Sequence, residues 1–240
     1  MNQIDPRMTG VGTASVGVPR AARDVGLRSY MLSVYNYMAS GVLLTGIVAL
    51  GFFSSGMAEQ MLSTPLKWVI MLAPLAFVMF MSFGQNKMST GTMQAMFWGF
   101  AVAMGLSMSS IFIVYTGTSI AQTFFAVAAG FMALSLYGYT TKKDLSGFGT
   151  FLIMGVVGIL VAMIANIFIQ SSSLGMAISG IGVLLFAGLT AYDTQKIKSM
   201  YAHVAGTDMM GKTAIMGALT LYLDFINMFT FLLQFMGDRR

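Results

Sequence analysis

The chain contains no cysteine, and only 9% of its 240 residues are charged. The first absence excludes a disulfide framework and thiolate metal sites, and leaves the redox compartment open. The second excludes a soluble domain, whose surface is built with about 25% charged residues. No glycine-rich phosphate loop with its lysine follows a strand, and no strand pattern is present, so a nucleotide site of that type is excluded as well. The formal charge is +5, but the basic residues are scattered among short segments rather than gathered on one face, and nucleic acid is not an expected partner. Neither a repeat of fixed period nor a low-complexity tract is visible.

What the chain has instead is hydrophobicity: 57% of its residues are apolar and the mean hydropathy is +0.78. A bilayer-crossing helix needs about 20 mostly apolar residues. Seven stretches meet that length, at about 31–53, 66–83, 92–115, 119–140, 148–170, 174–200 and 213–236. The expectation is an all-α membrane protein, a multi-pass seven-helix bundle whose solvent is the lipid bilayer. Residues 1–29 carry Arg7, Arg20, Arg23 and Arg28 without an apolar core of their own, and read as a cytoplasmic tail rather than a cleaved signal. Residues 30–240 then form one transmembrane domain. With the N-terminus inside, the cytoplasmic segments also collect Lys87, Lys142, Lys143, Lys196, Lys198 and Lys212, as the positive-inside rule requires. Lys67, Arg239 and Arg240 fall on the other side. For the terminal pair two readings stay open: a full last crossing with two charges outside, or a re-entrant last segment.

Strongly polar side chains inside the spans are few: Asn36, Asn166, Asp193, Gln195, Asp224, Asn227 and Gln234. An aspartate at the centre of a spanning helix costs about 2.5–3.5 kcal/mol on insertion scales, so Asp193 and Asp224 are expected to face the bundle interior. Asp224, Asn227 and Gln234 fall within about 80° of one another on a helical wheel, which places the last helix at the centre of the bundle. With the sixth span ending near Met200 and the seventh starting near Thr213, the two aspartates lie about one turn apart in depth, and contact is feasible. Two close carboxylates in a medium of low dielectric do not both ionise cheaply; they share a proton, or, ionised, offer oxygens to a hard cation. The plainer reading of Asp193 is a pairing with Lys196 one turn on. His203 and Asp208 read as solvated loop residues. In the third span, Ala101, Gly105 and Ser109 recur at intervals of four, a pattern that lets helix backbones approach closely. The neighbouring Ser107 and Ser110 hydroxyls would line a polar path or bond back to their own helix.

Three segments carry a resemblance: SLYGYTTKKDLSGFG at 135–149, AGLTAYDTQKIKSMY at 187–201 and ALTLYLDFINMFTFLLQF at 218–235. The chain resembles the BAX inhibitor-1, or transmembrane BAX inhibitor motif, family over residues 30–236, and its short loops are similar to those of the bacterial members. The resemblance implies seven helices with the last surrounded by the other six. It also implies a pH-sensitive calcium leak governed by an aspartate pair, here Asp193 in YDTQ and Asp224 in LYLDFIN, binding calcium transiently as the permeant ion with no resident cofactor. Tyr192, Gln195, Asn227 and Gln234 are the expected polar support. Some members carry a basic residue in the second span that latches onto the pair; here that span has only Lys67, at its edge.

Two other functions compete. Bacterial relatives linked to the membrane protease FtsH imply a non-transporting modulator of such a partner. An intramembrane aspartyl protease also uses a YD motif on its sixth helix, present here at Tyr192–Asp193. Its second aspartate, however, belongs in GxGD, and LYLD stands in that place. The expectation is therefore a non-enzymatic protein of the cell inner membrane that binds protons to sense pH and passes calcium.

Overall fold

The computed structural model describes residues 20–240, and the readings placed on residues 1–19 lie outside them. Nine helices occupy the described residues: α1 (Arg20–Ser54), α2 (Met57–Leu62), α3 (Leu66–Gly84), α4 (Thr90–Met108), α5 (Ser110–Val114), α6 (Gly117–Thr140), α7 (Ser146–Ile169), α8 (Ser172–Val204) and α9 (Met209–Met236). Seven spans are long and apolar enough to cross a membrane, with α4 and α5 together forming the third. Every expected span is present. The first helix starts eleven residues before its apolar core, at Arg20.

Lipid as solvent reverses the usual relation between hydrophobicity and burial. The most apolar span, α7, is only 11% buried, whereas α9 with its two amides and its aspartate is 67% buried. α9 packs on α8, α1, α6 and α4; α3 rests chiefly on α4, and α7 on α8. The helices thus make an inner group of five with two outriders, so four of the other spans are the direct neighbours of the last helix.

Small residues set the closest crossings. A Cβ on Gly105 would lie 2.8 Å from the carbonyl oxygen of Thr45 and 2.7 Å from Val48, so this glycine fixes the approach of α4 to α1. The Thr45 hydroxyl donates to the Ala101 carbonyl at 2.9 Å across the same crossing. The four-residue stripe is therefore a packing seam. The nearby hydroxyls turn back on their own chain, Ser109 to Leu106 at 2.7 Å and Ser110 to Ser107 at 3.1 Å, and the helix breaks between α4 and α5 at Ser109.

The last segment does not turn back: α9 is one uninterrupted helix of 28 residues, long and apolar enough to cross a membrane. Its exit is pinned at the link between α5 and α6, where the Thr116 N–H donates to the Asp238 carbonyl and the Arg240 N–H to the Val114 carbonyl. The Arg239 guanidinium lies 5.9 Å from the Tyr115 ring centroid and that of Arg240 lies 5.6 Å from Phe53. The re-entrant alternative is thereby excluded. Arg28, Lys87, Lys142, Lys143, Lys198 and Lys212 share the face on which α1 begins, and Lys67, Arg239 and Arg240 share the opposite one.

Candidate functional site

The α8/α9 hairpin turns through Ala205–Asp208, and its antiparallel register runs from Ile197 against Gly217 to Gly182 against Phe231. Between those pairs, the carboxyl groups of Asp193 and Asp224 come close enough to interact. Asp193 is 9% exposed and Asp224 4%, and Asp224 Oδ2 is buried without a hydrogen-bond partner. Asp193 lies eleven residues from the end of α8 at Val204, about 16 Å by helical rise, and Asp224 fifteen from the start of α9, about 22 Å. The pair is therefore deep in the bundle. No cation from α3 reaches it: Lys67 sits at the opposite face, 5.6 Å from the Trp68 ring centroid.

Close approach of α6 holds Asp193 in place. A Cβ on Gly138 would overlap the carbonyl of Ala191, two residues before Asp193. One turn away on the same helix, the Ser135 hydroxyl lies 2.9 Å from Thr194 Oγ1 and 2.7 Å from the Tyr35 hydroxyl of α1. Thr194 donates onward to the Thr190 carbonyl at 2.7 Å. On the α9 side, the Tyr222 hydroxyl lies 2.7 Å from Thr45 Oγ1, bonding the last helix to the first two residues before Asp224. These hydroxyls tie α1, α6, α8 and α9 around the carboxylates. None was singled out from the sequence; the available signal was a tyrosine or threonine hydroxyl inside an apolar span, which needs a partner when buried.

The four residues expected to support the pair are elsewhere. Gln195 points to the α6–α7 loop, donating to the Lys143 carbonyl at 2.7 Å and accepting from the Leu145 N–H at 2.9 Å. Tyr192 packs against Gly149 of α7 and takes the Lys196 ammonium over its ring, 5.9 Å from the centroid. Asn227 donates to its own helix at Leu223, 2.9 Å away, and Gln234 accepts from Ser179 at 3.3 Å near the far end of the hairpin. A shared helical sector did not make a continuous polar wall, because each amide found a nearer backbone or hydroxyl partner. Lys196 is exposed and lies over the Tyr192 ring without a salt bridge to Asp193, yet its charge remains near enough to act on that carboxyl. His203 and Asp208 are exposed, as solvated loop residues should be. In the α6–α7 loop, the Ser146 hydroxyl and then its N–H bind Asp144 and hold its carboxyl below the ordinary range.

Chemically, the site offers two carboxyl groups facing each other in a low-dielectric surround. Among the described residues there is no group of three or more acidic, histidine or cysteine side chains able to hold a metal. Calcium takes six to eight oxygens, more than two carboxyl groups offer.

The family described as inhibitor of apoptosis-promoting Bax1 matches residues 27–240. An "Inner membrane protein YbhL" of Escherichia coli is 46% identical over 230 residues, spanning 94% of this chain and 97% of that protein. An uncharacterized protein of Rickettsia prowazekii is 49% identical over 219 residues, with 90% and 92% covered, and one of Caulobacter vibrioides is 43% identical over 228 residues.

Proposed function

The chain belongs to the family of inhibitors of apoptosis-promoting Bax1, and from that premise we propose that it is a proton-controlled calcium leak of the bacterial inner membrane, with its N-terminus in the cytoplasm. The contact between Asp193 and Asp224 carries the reading. With one shared proton the two carboxyls form a hydrogen bond that closes α8 onto α9 at the most buried part of the bundle. With both ionised, repulsion in a low-dielectric surround drives the helices apart and exposes up to four carboxylate oxygens to a hard cation. The pair is thus at once a latch, a proton sensor and a transient calcium contact, and calcium is cargo rather than cofactor. Placement in the inner membrane is supported by the printed name of the Escherichia coli relative, and orientation by the basic face that holds the start of α1.

The test is calcium uptake by liposomes holding the purified protein, scanned from about pH 5 to 8, where perturbed carboxyl pairs titrate. A pH-dependent flux absent from protein-free liposomes is the expected result. No flux at any pH, with a stoichiometric membrane protein co-purifying, would replace this reading with that of a docking module. Cleavage of a helical substrate that disappears in Asp193→Ala would replace it with a protease.

A further inference from the structure

A lateral crevice of about 830 Å³ opens between α1 and α6, within the range of about 300–1,000 Å³ typical of ligand-holding clefts. The two helices stand apart along it and are bridged at its inner side by the hydroxyl pair Tyr35 and Ser135. Phe225 of α9 forms part of its floor and Phe124 part of one wall. Its rims are exposed apolar side chains, Leu43 at 65% and Met132 at 66%, which in a bilayer face acyl chains. A cavity with that mouth admits lipid directly from the side. Its polarity is graded along the helix axis. Arg28 stands at one end, on the basic face. Tyr35 lies seven residues deeper, about 10 Å by helical rise, and beyond it the lining is almost wholly apolar. Among the described residues no carboxylate lines the crevice, and Arg28 is the one charged residue of its lining.

We propose that this crevice binds an anionic phospholipid of the surrounding bilayer, with one acyl chain between α1 and α6 and the headgroup phosphate on Arg28. The occupant follows from the gradient. An apolar slot open to the membrane takes a chain, and a guanidinium at its interfacial end selects a phosphate carrying net negative charge, by forked charge-assisted hydrogen bonds that a zwitterionic headgroup partly cancels. The bound chain touches both halves of the latch at one remove. It lies on Phe225, adjacent in sequence to Asp224, and against Ser135, whose hydroxyl is 2.9 Å from Thr194, adjacent to Asp193. Lipid occupancy therefore props α1 and α6 at the spacing that positions the carboxylates. The proposal stands whether or not the protein conducts calcium.

The experiment is native mass spectrometry of the full chain released from micelles doped with equal amounts of palmitoyl-oleoyl phosphatidylglycerol and phosphatidylcholine. One phosphatidylglycerol retained per chain is expected, in about tenfold preference over phosphatidylcholine. Arg28→Gln should keep a lipid but lose the preference. Ala39→Phe, which fills the crevice from α1, should lose the lipid; Ala128→Phe fills it from α6 and decides the matter if the first variant does not fold. Equal retention of the two lipids by the unaltered protein overturns the headgroup assignment. Retention unchanged in a folded crevice-filling variant, or a lipid-free dimer, overturns the site.

Discussion

Gly138 lies so close to Ala191 that a single added methyl would overlap the Ala191 carbonyl. The α6/α8 crossing therefore depends on the absence of a side chain, and that crossing seats Asp193 one half-turn on. Gly138→Ala must push α6 outward, with a cost of about 1–3 kcal/mol for overpacking. It should also lengthen the Ser135–Thr194 hydrogen bond. Unfolding in mixed micelles measures the first effect. A variant as stable as the parent would mean that α6 yields freely there.

The Thr45–Tyr222 bond predicts an asymmetry. Thr45 also donates to Ala101, so Tyr222→Phe leaves it satisfied and should cost no more than about 1 kcal/mol. Thr45→Val strands the hydroxyl of Tyr222, a side chain with no exposure, and should cost about 1–3 kcal/mol. The two variants compared under one unfolding protocol check the order; the reverse order contradicts the bonding described.

Gln195 serves the α6–α7 loop through both ends of its amide. Gln195→Ala should raise hydrogen exchange at the Leu145 amide while leaving the pH response of calcium flux unchanged. A flattened response in this variant would return Gln195 to the carboxylate site.

Seven spans with a pinned exit place the start of α1 and the end of α9 on opposite faces. A fluorescent protein fused before residue 1 should be bright in the cytoplasm, and alkaline phosphatase fused after Arg240 active outside it. Phosphatase activity found only for cytoplasmic-loop fusions would contradict the orientation.

The spans were legible because lipid demands a run of apolar residues and leaves no substitute signal. The aspartates were legible for the complementary reason: a charge inside such a run is costly and rarely accidental. Their contact was less visible. The sequence placed the end of α8 near Met200 and the start of α9 near Thr213; both helices continue four residues further, to Val204 and from Met209. The two errors offset, and the one-turn stagger is absorbed by the crossing. The supporting set was misread because helical spacing says which residues share a sector and nothing about nearer partners. Asn227 took its own helix, and Gln195 the loop, while the hydroxyls of Tyr35, Ser135, Thr194, Thr45 and Tyr222 gathered around the site through contacts between residues 56 to 177 positions apart. Hydropathy does not register a hydroxyl in an apolar span as exceptional.

The central claim is that Asp193 and Asp224 act as one proton-controlled unit on calcium passage. Calcium flux into liposomes is therefore to be compared across pH for the unaltered protein, Asp193→Asn, Asp224→Asn and the double variant. A coupled pair loses its response when either member is removed, so the account predicts that each single variant flattens the pH profile and that the double adds nothing further. A pH response that survives Asp224→Asn, or single effects that simply add in the double variant, would contradict it.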